Sequence, residues 1–148
     1  MIDFRTKLIE FSTWHKDQRN RACHYLGIPG VTLPVLGLLS RVSFGVDLPL
    51  LGPLDLALIL LAATFVFDLL LAWQLAPGVL AIGLLLWWIA RPLPLAVLAA
   101  IFFIGWIFQL AGHRLFEKNA PAFTDNMVHL LIGPRWLVNR LFRVFAES

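Results

Sequence analysis

The stretch FQLAGHRLFEKNAPAF, residues 108 to 123, sets Gln109, His113 and Glu117 at i, i+4 and i+8 just where a long apolar run ends. On a helix of 3.6 residues per turn these positions drift by only about 40° per step, so they form one polar ridge. A second set lies in WHKDQRNRACHYLGIPG, residues 14 to 30. His15 continues the stripe of Phe4, Leu8 and Phe11 along an amphipathic N-terminal helix, and His24 follows Asn20 by one helical turn. On one continuous helix His15 and His24 would point in opposite directions. Convergence therefore requires a break, and Asp17 is a suitable N-cap for a new helix starting at Gln18 after a polar break at Lys16.

Imidazoles at His15, His24 and His113 with the carboxylate of Glu117 would suit a divalent transition metal such as Fe(II), Zn or Mn. Histidines, a carboxylate and open positions are also what a non-haem Fe(II) oxygenase needs to bind dioxygen and substrate together. The same residues admit a plainer use, with His113 and Glu117 as an i, i+4 pair at a helix end and the histidines bonding headgroups or backbone. His129, beyond Pro121, either approaches the site or faces the headgroups. Asp68 lies inside an apolar segment, where an unpaired carboxylate is costly. It either supports a ligand histidine from behind or caps and snorkels near Trp73. Cys23 is either a thiolate ligand or a small buried residue. Trp73, Trp87, Trp88 and Trp106 read as interfacial belts.

The elements that must position these groups are apolar. The 148 residues are 59% hydrophobic and 14% charged, with mean hydropathy +0.80. A soluble domain of this size has no interior large enough for so much apolar surface. Spanning segments are expected at residues 54 to 73, 75 to 90 and 93 to 111, with a fourth, proline-bearing one at 25 to 45. No break is visible between Pro94 and Pro121, so the last span is expected to run on as a rod of roughly 40 Å into the headgroup zone. Of the twelve Lys and Arg residues, only Arg41 and Arg91 lie between Gly27 and Ala111. That bias places both termini in the cytoplasm and calls for an even number of crossings. The expected fold is all-α: an integral membrane bundle of about four transmembrane helices, with amphipathic N- and C-terminal helices. It is read as one membrane domain, with residues 1–26 interfacial, 27–111 spanning, and 112–148 a cytoplasmic helix end plus an amphipathic helix along the headgroups. No secretory leader is visible, the single Cys23 excludes an internal disulfide, and nothing suggests a nucleic-acid partner.

Two separated motifs resemble those of a known family. The run Gly105, Trp106, Gln109, Gly112, His113, Phe116, Glu117, Lys118, Pro121, Ala122, Asp125, Asn126 is similar to the G-W-x-x-Q-x-x-G-H-x-x-F-E-K-x-x-P-A-x-x-D-N signature of small multi-pass membrane proteins. Those proteins are related to the yeast 2-hydroxy-fatty-acid dioxygenase of phytosphingosine breakdown. His15, Asn20, His24 and Pro29 match the family's N-terminal element. The resemblance implies an Fe(II)-dependent α-oxidation in which dioxygen cleaves C1 from C2 of a 2-hydroxy fatty acid, leaving the acid one carbon shorter. It carries the family's essential histidines onto His15, His24 and His113. The chain departs from the pattern at His129, usually glutamine, and at Arg140, usually acidic. With the acyl chain between the helices, Arg114, Lys118 or Arg19 would steady the substrate carboxylate at the bilayer surface. Asn20, Gln109 and Asp68 are the remaining candidates for supporting the metal or the substrate. The competing functions are a Zn-dependent membrane hydrolase with Glu117 as general base, and a non-enzymatic lipid-binding or structural membrane protein. A bacterial inner membrane is the expected location, or the endoplasmic reticulum if the chain is eukaryotic.

Overall fold

The computed structural model describes residues 4–118 and 128–145, with side chains for 6–118 and 131–145. The elements are α1 (Phe4–Thr13), α2 (Gln18–Leu39), strands β1 (Ser43–Leu48) and β2 (Gly52–Asp55), α3 (Leu56–Ala72), α4 (Ala76–Ala90), α5 (Leu95–Gly112), a π-helical turn (His113–Glu117) and α6 (Val128–Phe142). The fold is predominantly helical. A β-hairpin stands where the sequence suggested only a turn-like connection, GVDLPLLGP. Its strands pair antiparallel, Leu48 opposite Gly52 and Asp47 opposite Pro53. Gly52 (φ +78°) closes the three-residue loop in the left-handed region, and Gly45 (φ +70°) sits in the irregular stretch of β1.

The break between the first two helices falls at Lys16 and Asp17. Asp17 is extended (φ −73°, ψ 130°) and its side chain accepts the Arg19 N–H, a standard N-cap. The Arg19 guanidinium also bonds this carboxyl and holds it below the usual carboxylate range. From there α2 runs for 22 residues with Pro29 and Pro34 inside it, so the prolines do not split this segment.

The antiparallel seam of α2 and α5 brings backbone against backbone. Added Cβ atoms would fall 2.6 Å from the Gly30 carbonyl carbon at Gly105, and 2.5 Å from Gln109 Cγ at Gly27. Two helices approach this closely only where small residues face each other. Short connections turn α3 into α4 and α4 into α5. The histidines therefore share one end of the bundle with α1 and α6, while the hairpin lies at the other. At the hairpin end Arg41 bonds the Leu93 carbonyl and Arg91 bonds the Leu51 carbonyl, 3.2 Å away. Asp55 caps α3 through Leu58 N–H and accepts the Trp87 indole N–H at 2.9 Å. Trp87 is therefore core, whereas Trp73 and Trp88 face outward.

Polarity is inverted relative to a soluble protein. Leu70 is 80% exposed and Phe103 65%, while His15, Asn20, His24, Asp68, His113, Arg135 and Asn139 are buried. Two helices, Gln18–Leu39 and the continuous Leu95–Glu117, are long and apolar enough to cross a bilayer; α3 and α4 are shorter.

One face of the C-terminal helix is packed into the core. Ile132, Trp136, Leu137 and Val138 join Leu8 and Phe11 of α1 in one core cluster with Ala72 and Leu75. The buried Arg135 bonds Asp68 of α3 and the Leu131 carbonyl. A buried guanidinium must be paired, and Asp68 is its partner.

Candidate metal centre

Three histidines meet at the α1–α2 break. His15 arrives from the turn after α1, His24 from the second turn of α2, and His113 from the first residue of the π-helical turn. All three are at least 97% buried, with exposures of 2%, 2% and 3%. Their ring centroids lie 4.3 Å (His15–His24), 4.8 Å (His15–His113) and 4.8 Å (His24–His113) apart, with planes inclined at 79°, 67° and 88°. One ring nitrogen from each lies within 4.8 Å of the others.

Backbone carbonyls orient two of the rings. His15 Nδ1 donates to the Phe11 carbonyl at 2.7 Å, and His24 Nδ1 donates to the Asn20 carbonyl at 3.0 Å. A carbonyl only accepts, so each Nδ1 carries the proton and each Nε2 carries the lone pair. His113 Nδ1 is buried without a hydrogen-bond partner among the described residues. Phe11 stacks on His15 at 4.3 Å, and Trp136 lies 5.3 Å from His15 and 6.5 Å from His24. The Trp136 indole N–H is held by Ser12 Oγ at 3.1 Å.

Glu117 stands outside this group. Its Oε1 accepts the Asp17 backbone N–H at 2.8 Å and the Asn20 side-chain amide at 3.2 Å. It ties the end of the π turn to the start of α2 and so sets where His24 sits relative to His113. The π turn alters the phase of the helix here, a deviation that recurs at functional sites. The chain leaves it at Lys118 in the left-handed region (φ 55°). Gln109 faces α2, its amide donating to the Gly27 carbonyl at 3.3 Å. Asn20 is fully buried and serves twice, by its carbonyl to His24 and its amide to Glu117.

Other sequence candidates are placed elsewhere. Asp68 bonds Arg135 rather than a histidine. Arg114 and Lys118 are exposed and do not line the cavity beside the rings. Arg19 is taken up by Asp17 and by the Phe116 ring, 4.5 Å from its guanidinium carbon. Cys23 is free and packs against Gly112. The side chain of His129 lies outside the described residues. Phe11 and Trp136, which sequence reasoning did not place at the site, form its aromatic wall; an i, i+4 step from Phe11 to His15 was the one available signal.

A cavity of about 370 Å³ opens beside the rings. Among the described residues, Gln109 and Thr32 add an amide and a hydroxyl to the three histidines of its lining, and the rest is aliphatic or aromatic.

Comparison with known proteins gives a curated relative and a family. The yeast protein "2-hydroxy-palmitic acid dioxygenase MPO1" of Saccharomyces cerevisiae is 56% identical over 32 residues, 22% of this chain and 18% of the yeast one. The aligned part is thus less than a fifth of that relative's length. No solved structure matches the chain significantly. The family described as "2-hydroxy-palmitic acid dioxygenase Mpo1-like" matches residues 1–144, and the chain belongs to that family.

Proposed function

We propose that this protein is an Fe(II)-dependent dioxygenase that converts a 2-hydroxy fatty acid to the acid one carbon shorter. The observation that carries the reading is the gathering of His15, His24 and His113 into one buried group. Membership of a family described as a dioxygenase supplies the oxygen chemistry.

The donor set fits such a metal. Two nitrogens bound at about 2.1 Å to one ion lie at most about 4.2 Å apart. That ceiling holds only for ligands opposite each other; three nitrogens around one ion lie about 3.0–3.6 Å apart, so the rings, now within 4.8 Å of one another, would draw in by up to about 1.8 Å. His15 and His24 would bind through Nε2, their tautomers fixed by the Phe11 and Asn20 carbonyls. Three protein ligands leave positions open for other partners. Ferrous iron in this place supplies the redox activity that dioxygen chemistry requires and that zinc lacks. The overall conversion balances with dioxygen as sole oxidant. The C1–C2 bond breaks, C1 leaves as carbon dioxide, C2 becomes the new carboxyl, and one water forms.

The chain's own residues orient and shield. Asn20 and Glu117 lock the start of α2 to the end of α5, so the ring of His24 meets that of His113 at a set angle. Phe11 and Trp136 keep water from the back of the rings. Gln109 is the amide nearest in sequence to His113 on the cavity lining and would bond the substrate's hydroxyl or carboxyl head. The basic residues concentrated beyond both ends of the apolar block favour a cytoplasmic setting for the histidine end, with α2 to α5 as four crossings. The head group would then lie at the membrane surface and the tail among the helices.

Zinc hydrolysis fits less well, because Glu117 is engaged by Asp17 and Asn20 rather than standing in the metal group as a base. A lipid-binding role without a metal leaves three adjacent buried imidazoles with no purpose. The test is turnover of 2-hydroxypalmitate by anaerobically purified protein on admission of oxygen, with and without added ferrous iron. Iron- and oxygen-dependent formation of pentadecanoate is expected. Absence of turnover in folded, iron-supplied protein would overturn the reading.

A further inference from the structure

The cavity beside the histidines has a direction. On α2 its lining descends from His24 through Ile28, Val31 and Thr32 to Val35; on α5 it descends from His113 through Gln109 and Trp106 to Phe102. Each path makes eleven residue steps, which is about 16 Å at 1.5 Å per residue. The two helices are antiparallel, so both paths lead away from the metal group toward the middle of the bundle.

The direct route between the helices is shut. Gly30 and Gly105 bring the backbones together, and an added Cβ at Gly30 would lie only 3.0 Å from Gly105 Cα. Whatever occupies the cavity must lie in the cleft on one flank of that seam. A second apolar space of about 200 Å³, between α2, α3, α4 and α6, shares Ile28, Thr32 and Pro134 with the first. Those three side chains border both spaces.

We infer that this cleft holds the acyl chain of the substrate, with Val35 and Phe102 as the residues that read its length. The inference rests on the proposed function and adds the determinants of specificity. The cleft's apolar lining and its reach of about 16 Å select a long unbranched tail over a short one. Ile28, Thr32 and Pro134, which border both spaces, would keep that tail out of the second. Val35 is partly exposed, so a larger residue there narrows the far end without overloading the core.

Two measurements test this. The first uses 2-hydroxypalmitate carrying a diazirine at the terminal carbon, photolysed with the intact protein in detergent and mapped by mass spectrometry. Adducts on Val35, Phe102 or their immediate neighbours support the inference. Adducts on Thr64 or Gly83 of the second space, or none on any cavity residue, overturn it. The second compares kcat/KM for 2-hydroxypalmitate and 2-hydroxyoctanoate in Val35→Trp and Phe102→Ala. Forcing extra atoms into a filled apolar site costs enough to lower the long-to-short ratio of Val35→Trp by roughly five- to a hundredfold. Phe102→Ala should shift the preference to longer chains. If wild-type protein turns over 2-hydroxypalmitate but both ratios stay unchanged, the cleft assignment fails while the proposed function stands. If wild-type protein neither turns over nor cross-links the substrate, both fail.

Discussion

Replacing Gly112 by alanine should injure the metal centre without touching a ligand. The new Cβ would lie 2.4 Å from Asn20 Oδ1 and 2.9 Å from Cys23 Cβ. Asn20 is fully buried, so its side chain has no open space to retreat into. Overpacking of this kind costs about 1–3 kcal/mol. Displacing the Asn20 amide also removes its bond to the Glu117 carboxylate, worth about 1.5–3 kcal/mol for a charged acceptor. The loss should therefore lie between about 1.5 kcal/mol, if the side chain rotates away and only the bond is lost, and about 6 kcal/mol if both terms apply. Because the Asn20 carbonyl orients His24, metal affinity should fall as well, by about 10- to 100-fold, the usual effect of disturbing a group behind a ligand. The assay is paired: denaturant unfolding in detergent, and anaerobic titration with ferrous iron. Gly105→Ala is the comparison. Its Cβ would strike the Gly30 backbone at 2.6 Å, seven residues from Gly112, so it should lose stability with a smaller effect on iron. A Gly112→Ala protein with wild-type stability and affinity would refute the close approach of α2 and α5 at this end.

Two further outcomes follow from buried polar groups. Asp68→Leu should cost about 3–5 kcal/mol by leaving Arg135 buried without its carboxylate, while Asp68→Leu with Arg135→Met should recover much of that loss; additive effects in denaturant unfolding would contradict the pairing. Asp55→Ala removes both the cap of α3 and the acceptor of the Trp87 indole, for a loss of roughly 2–5 kcal/mol, yet should leave iron stoichiometry intact because it lies at the hairpin end; lost iron in a folded variant would contradict that separation.

Local chemistry was the legible part of this chain. The break at Lys16 and Asp17 could be read because an N-cap is a short-range device, and it reconciles the opposed directions of His15 and His24. The stripe of Leu8, Phe11 and His15 is buried as its spacing suggests, and Gln109, His113 and Glu117 all face α2. Long-range pairing was less legible. Nothing near Asp68 announces Arg135, 67 residues away, and a lone carboxylate in an apolar helix suggests a ligand histidine as readily as an ion pair. Glu117 follows the same logic: its i, i+4 spacing from His113 is that of a second ligand, but its carboxylate bonds the first turn of α2. The π turn has no propensity signal, since it arises from how α5 ends against α2. Tryptophan serves equally in belts and cores, which is why the burial of Trp87 and Trp136 needed the tertiary structure. Of the C-terminal arginines, Arg135 is buried against Asp68, a pairing that charge content alone does not announce.

Iron content of the purified chain tests the central claim most directly. Anaerobically loaded protein should hold one ferrous ion per chain, and His15→Ala, His24→Ala and His113→Ala should each lose it while remaining folded by circular dichroism. A folded wild-type protein that takes up no iron, or any one of these variants that keeps its full complement, would contradict a centre built from the three histidines.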